Sequence, residues 1–292
     1  MVAPDAAAQE PEPRQSLSDA WWTGPILAAS PNTLPPGHWL IEPYLYDVMS
    51  GHTHAIGSQS YILYGLVPRL TVGIIPTFGY NVVRDGLSSS RPGVGDLTAV
   101  AQFRLTQFHE GSFVPTTAFV FREVLPIGKY DNLGDRPSDG LGGGAYTTEL
   151  ALYSQEFFWL PNGRILRVRF DATQSVSTSV DINGVSVYGT GPGFHGQARP
   201  GPSTSLDAAL EYSITRAWVF ACDAAYGFNA NTPITGSNLR LNSGSSTPLA
   251  FAPAVEYNWS PSYGVILGAR IIPAMRNTTP SVTPVVAVNM VL

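Results

Sequence analysis

The sequence predicts an all-β protein: a transmembrane up-and-down antiparallel β-barrel of about twelve strands, with short periplasmic turns and long extracellular loops. Three observations lead there. Apolar and polar residues alternate with a period of two through long stretches, and the breaks between these stretches alternate between short and long. Only 13% of residues are charged, against roughly 25% in an average soluble protein, so little charge is left to coat a water-facing surface.

The alternation is clearest in R-I-L-R-V-R-F-D-A-T, Arg164 to Thr173. Arg167, Arg169, Asp171 and Thr173 fall on one parity and Leu166, Val168, Phe170 and Ala172 on the other, as in a strand with two unlike faces. A helix would mix the two sets. Unpaired buried charge costs several kcal/mol, so the charged row is expected to face water, and Leu166, Val168 and Phe170 to face lipid. No run approaches the roughly 18 apolar residues a membrane helix needs, so any crossing is made by strands.

Taken in order, residues 1–20 are rich in Ala, Pro, Glu and Gln. They predict the disordered start of an exported, already processed chain. Residues 21–37, W-W-T-G-P-I-L-A-A-S-P-N-T-L-P-P-G, are too apolar to wave in water and too proline-rich for a strand. They are expected to fold into or against the periplasmic mouth, as an extended segment or plug. Residues 38–292 form the barrel, with strands near 38–49, 58–66, 71–83, 96–107, 113–125, 144–157, 164–180, 203–214, 217–228, 248–258, 263–274 and 281–292. Most approach the 9–11 residues a tilted membrane strand requires. The long Gly/Ser/Pro/Asn-rich stretches 84–95, 126–143, 181–202 and 229–247 all fall at one end, the asymmetry of an outer-membrane barrel.

Aromatic residues concentrate at membrane interfaces. Trp39, Trp159, Trp218 and Trp259 lie at one predicted level, and Tyr46, Tyr80, Tyr146, Tyr226 and Phe228 at the other. Proline cannot donate to a ladder, yet Pro43, Pro76, Pro253, Pro273 and Pro284 lie in strands that gather around the closing seam. Two readings stand: bulges absorb these prolines and help the wall curve, or missing ladder bonds open a sideways route into the membrane.

On the parity opposite the apolar rows lie Glu42, Arg104, Arg122, Glu149, Arg167, Arg169, Asp171, Asp207, Glu211, Asp223, Glu256 and Arg270, the candidate lumen lining. They either line a water path or pair with one another and fill the barrel. His52 and His54 sit on a predicted outer loop with parity suited to a shared metal, but two histidines on a mobile loop are usually just solvated. No metal or other cofactor is assigned. No serine stands in a G-x-S-x-G setting, so no catalytic residue is named and no enzyme activity is expected. Lys129 is the only lysine and the net charge is −5, which argues against a nucleic-acid partner. The single Cys222 forms no internal disulfide.

The segments T-G-P-I-L-A-A-S-P-N-T-L-P-P-G-H-W-L-I-E-P-Y-L-Y-D, I-P-T-F-G-Y, G-V-G-D-L-T, R-E-V-L-P-I-G-K-Y-D-N-L and N-T-T-P-S-V-T-P-V-V-A-V-N resemble the bacterial family labelled "putative MetA-pathway of phenol degradation". The likeness spans residues 23–292. It implies an outer-membrane protein whose partners are lipid and a small solute, and whose role is passive uptake of small molecules, hydrophobic or aromatic ones among them. A structural or adhesive barrel without transport, and a barrel hydrolase, are the alternatives. The sequence names neither the solute nor an oligomeric interface.

Overall fold

A computed structural model describes residues 14–237 and 239–292; the part of the expected tail at 1–13 lies outside them. The strands are β1 (Trp39–Ser50), β2 (Thr53–Val67), β3 (Leu70–Ile75), β4 (Thr77–Val83), β5 (Gly93–Val94), β6 (Leu97–Thr106), β7 (Thr116–Leu125), β8 (Thr147–Trp159) and β9 (Ile165–Ser177). After them come β10 (Val180–Asn183), β11 (His195–Ala198), β12 (Ser203–Ser213), β13 (Trp218–Asn229), β14 (Pro233–Gly236), β15 (Leu239–Asn242), β16 (Leu249–Ser260), β17 (Tyr263–Ile272) and β18 (Ser281–Val291).

β3 and β4 make one wall strand interrupted at Pro76, and β5 leads into β6. With these joined, the wall is a closed antiparallel barrel of twelve strands, with β1 pairing both β2 and β18. Its outside is apolar: Leu45, Phe119, Leu152, Phe170, Leu210, Phe220 and Leu267 are exposed, Leu267 by 65%. A soluble monomer rarely shows a continuous apolar band of that extent. The inner face carries small residues, with Ala118, Ala151, Ala209, Ala221, Ala252 and Ala287 buried.

Three parts of the long-loop end differ from the sequence expectation. β2 begins at Thr53, not near residue 58, because Gly51 (φ 56°) lets the chain turn at once from β1. His54 is therefore part of a strand. The stretches read as loops at 181–202 and 229–247 hold β10, β11, β14 and β15, a separate four-stranded sheet. Its members are four residues long and Gly/Pro-flanked, too short for a period of two to show. Val180, Ile182, Ala198 and Ile234 of this sheet pack with Phe194 and Ala145 in a buried cluster.

The prolines do not act through bulges. The register shifts lie at Gly65/Val67, Arg104/Thr106 and Asn258/Ser260, next to short turns; none coincides with a proline. Pro76 interrupts its strand without a slip, Ser60 still donating to its carbonyl at 3.1 Å, and Pro273 lies past the end of β17. Across β1–β18 the pairing runs Leu40↔Val291 and Ile41↔Met290, resumes at Tyr44↔Ala287, and lapses again between Tyr46↔Val285 and Met49↔Val282. The lapses coincide with Pro43 and Pro284, and the register is the same on either side. Pro253 coincides with a similar lapse between β16 and β17.

Candidate functional site

Residues 14–35 enter the lumen and occupy part of it. Gln15 donates its N–H to Gly163 O at 3.0 Å and Trp21 to Arg216 O at 2.9 Å, both on short turns. Leu17–Asp19 forms one 3-10 turn, so the stretch to residue 20 is ordered where a loose tail is expected. The chain then climbs the lumen and returns, Leu34 N–H meeting Thr71 Oγ1 at 2.8 Å at the start of β3. This makes an arc rooted at the short-turn rim, with its apex at Ile26–Ala29.

What holds the arc follows from its composition. Its prolines deny it a helix or strand, so beyond Trp21 its N–H groups must find partners outside a backbone ladder. They find the wall carboxylates. Thr23 and Gly24 donate to Glu256 Oε2 at 2.6 and 3.1 Å. Ile26, Leu27 and Ala28 donate to Asp223 at 2.9–3.3 Å, and Ala29 to Asp171 Oδ2 at 2.7 Å. Gln102 adds bonds to Ser30 O and Asn32 O. Gly264 faces the arc because a Cβ there would collide with Thr23 Oγ1 and Asn258 Oδ1.

The arginine row is therefore not in water, contrary to the expectation. Arg167, Arg169 and Asp171 point inward, but each is about 95% buried under the arc. Burial is tolerable because partners are present: Arg167 grips Glu211 with Nε at 2.6 Å and with Nη2. Arg169 Nε lies 3.2 Å from the same carboxylate, and its Nη1 donates to Ala28 O at 2.9 Å. Trp22 stacks beneath Arg167, 4.4 Å from guanidinium carbon to ring centroid, and Trp21 beneath Arg216 at 4.6 Å.

The remaining candidates also lie on the inner face. Glu42 accepts from Asn289 Nδ2 at 3.1 Å, and Arg122 lies 3.5 Å from Glu149. Asp207 stands opposite Asp171 across β9–β12. Arg104 shares the inward parity of Gln102 at the short-turn rim. Arg270, on β17, has no acid partner among the described residues. Inward polar residues without charge were missed by a search for charge alone: Thr71, Gln102, Gln155, Asn258 and Asn289. Their signal was present, since they share the parity of the charged rows.

Two aromatic assignments change. Trp39, Trp218 and Trp259 are outward and exposed at the short-turn level. Trp159 instead turns inward, its Nε1 donating to Gln15 O at 2.7 Å with Arg14 3.9 Å above its ring, and Phe158 takes the outward place. Tyr46 likewise faces the lumen, since a Cβ on Gly57 would strike its ring. His52 and His54 do not converge: each Nδ1 meets its own carboxylate, Asp85 at 2.5 Å and Asp47 at 2.9 Å.

Above the apex two cavities of about 270 Å³ remain. One is bounded by Leu27, Tyr44, Tyr46, Tyr61, Arg270 and Thr283, the other by Arg122, Glu149, Tyr153, Asp171, Asp207 and Ser205. The loop 126–143 folds over the inner side of β4 and β5, where Leu141 meets Gly79 and Gly93. Asp96 of the G-V-G-D segment holds both legs of that loop, accepting from Gly128 at 2.9 Å and Gly143 at 2.7 Å. Burial, aided by the nearby Asp96 charge, pushes the Tyr188 hydroxyl up to about 12, and it donates to Gly143 O.

The profile of the family described as "Putative MetA-pathway of phenol degradation" matches residues 25–280. Comparison with curated protein sequences finds no match. Among solved structures, the chain is similar to the COG4313 outer membrane channel from Pseudomonas putida F1, at TM-score 0.67 and 14% identity, covering 91% of this chain and 100% of that one. It also matches the beta domain of the Bordetella autotransporter BrkA, at TM-score 0.48 and 9% identity, over 88% of this chain and all of that one. The Pseudomonas putida toluene transporter TodX aligns at TM-score 0.38 and 10% identity, over 96% and 97%. The first of these shares the fold, and with the apolar outer band it makes this chain a barrel of the bacterial outer membrane.

Proposed function

We propose, on the premise that the chain belongs to the family described as "Putative MetA-pathway of phenol degradation", that the barrel is an outer-membrane channel for passive uptake of small molecules, hydrophobic and aromatic ones among them. The solved relatives include proteins described as an outer membrane channel and a toluene transporter, which is the kind of role this reading gives the present chain. The observation that carries it is what occupies the lumen. Residues 14–35 occupy the lumen, held by side-chain hydrogen bonds, while cavities remain beside and above them. No nucleophile setting supports a hydrolase.

In this reading the arc is a plug. Removing residues 1–30 is expected to raise single-channel conductance severalfold in planar bilayers, with the barrel still folded. A folded barrel that stays as tight as the full chain would refute both plug and channel.

A second reading concerns the exit, and the lapses at Pro43 and Pro284 favour it. β1 and β18 lose pairing there beside the cavity bounded by Tyr46 and Thr283, and in this reading that weakened seam is where an uncharged solute leaves for the membrane. A disulfide joining cysteines at positions 43 and 288 is expected to slow uptake of a neutral aromatic into intact vesicles while leaving ionic conductance unchanged. Uptake at the wild-type rate would close the sideways route.

A further inference from the structure

Among the described residues, Arg270 is the cation beside the upper cavities that no carboxylate answers. Arg122 has Glu149, and Arg167 and Arg169 share Glu211, while Arg104 lies away from both upper cavities at the short-turn rim. Arg270 bounds the cavity beneath β17 and β18, and no carboxylate lines that cavity. Its Nε is buried without a hydrogen-bond partner among the described residues. Directly opposite it across β17–β18 stands Thr283, only 3% exposed, whose Oγ1 is equally unpartnered. Both residues line the same cavity, and buried polar groups are nearly always satisfied, so two adjacent unsatisfied groups at its wall call for an explanation. A guanidinium donates only, and a hydroxyl can donate beside it. Together they match an anionic oxygen pair.

The rest of the cavity says what the anion carries. Ile26 and Leu27 of the arc and Val48 and Val285 of the wall supply apolar surface, and Tyr46 and Tyr61 supply rings. At about 270 Å³ the space falls just below the roughly 300–1,000 Å³ usual for drug-sized ligands. A doubly charged phosphate would find one guanidinium and greasy walls. A carboxylate suits both, since the planar guanidinium fork matches its geometry. The cavity across the lumen carries Glu149, Asp171 and Asp207 against Arg122 alone, which repels an anion toward the Arg270 side.

We propose that this cavity is a binding site for small monocarboxylates with a compact apolar or aromatic body, the carboxylate held by Arg270 and Thr283. The assignment rests on the reading of the barrel as a channel, and gives it a substrate class.

The test is equilibrium binding of benzoate to the purified full-length protein in detergent, with benzyl alcohol and inorganic phosphate as competitors. Saturable benzoate binding is expected, weakened roughly ten- to hundredfold in Arg270→Gln, the size of a lost charge-assisted hydrogen bond. Thr283→Val is expected to weaken it less, and neither competitor to displace benzoate at equal concentration. Resistance of the barrel to SDS at room temperature reports folding; should Arg270→Gln fail it, Arg270→Lys and Thr283→Val carry the comparison. Benzoate binding that is absent from the full chain, or indifferent to these substitutions, overturns the proposal, as does equal displacement by benzyl alcohol or preference for phosphate. Failure of the channel reading looks different: neither the full chain nor the form lacking residues 1–30 conducts, while Arg270-dependent benzoate binding persists.

Discussion

Glu211→Ala is expected to destabilise the barrel by about 3–5 kcal/mol, the cost of stranding a buried charge by removing its partner. Here one carboxylate answers both Arg167 and Arg169, and it is fully buried. Neither arginine has water to turn to while the arc is seated. The loss is measured as a lower midpoint for unfolding in denaturant from detergent or lipid vesicles. Glu149→Ala is the contrast: its pair with Arg122 is looser, at 3.5 Å, with both side chains more than 20% exposed. A cost within about 1 kcal/mol is expected there. Equal costs at the two sites would mean that the arc does not seal the arginines from solvent.

Phe170→Arg is expected to cost roughly 2–4 kcal/mol of insertion into lipid, the penalty for arginine near the midplane of a barrel's outer face, whereas Thr173→Arg points inward and is expected to cost far less. The choice of position comes from the structure. Val168, on the same outward row, stands opposite Glu156 across β8–β9, only a few residues from the tryptophan level, and an arginine there would gain a partner. Phe170 lies opposite Ser154 and Ala208, is 49% exposed, and sits nearer mid-height. Folding into vesicles, followed by the shift of the barrel on unheated SDS gels, separates the two variants. Equal effects at residues 170 and 173 would reverse the assignment of faces.

The contrast between Val168 and Phe170 shows where the sequence runs out. Parity is local: it says that Phe170 and Val168 share a face, and it says so for every wall strand. Register is not local, and register alone sets Glu156 beside Val168.

The sequence by itself determined the closed twelve-stranded antiparallel wall, its apolar outside and its charged inside, because alternation and turn composition act within a few residues of one another. It singled out residues 21–37 as a segment needing shelter, because proline and tryptophan cannot be reconciled with a free chain in water. What only the tertiary structure decided is which partner each inward group meets. Glu256 and Asp223 meet the arc's N–H groups from more than 190 positions away in sequence, which turns a row read as solvated into one that is buried and paired. Trp159 and Tyr46 turned inward for the same reason: burial belongs to the assembled lumen and not to the strand. Arg270 and Thr283 are the converse case, two ordinary residues of adjacent strands that become a candidate site only because, among the described residues, Arg270 Nε and Thr283 Oγ1 find no partner.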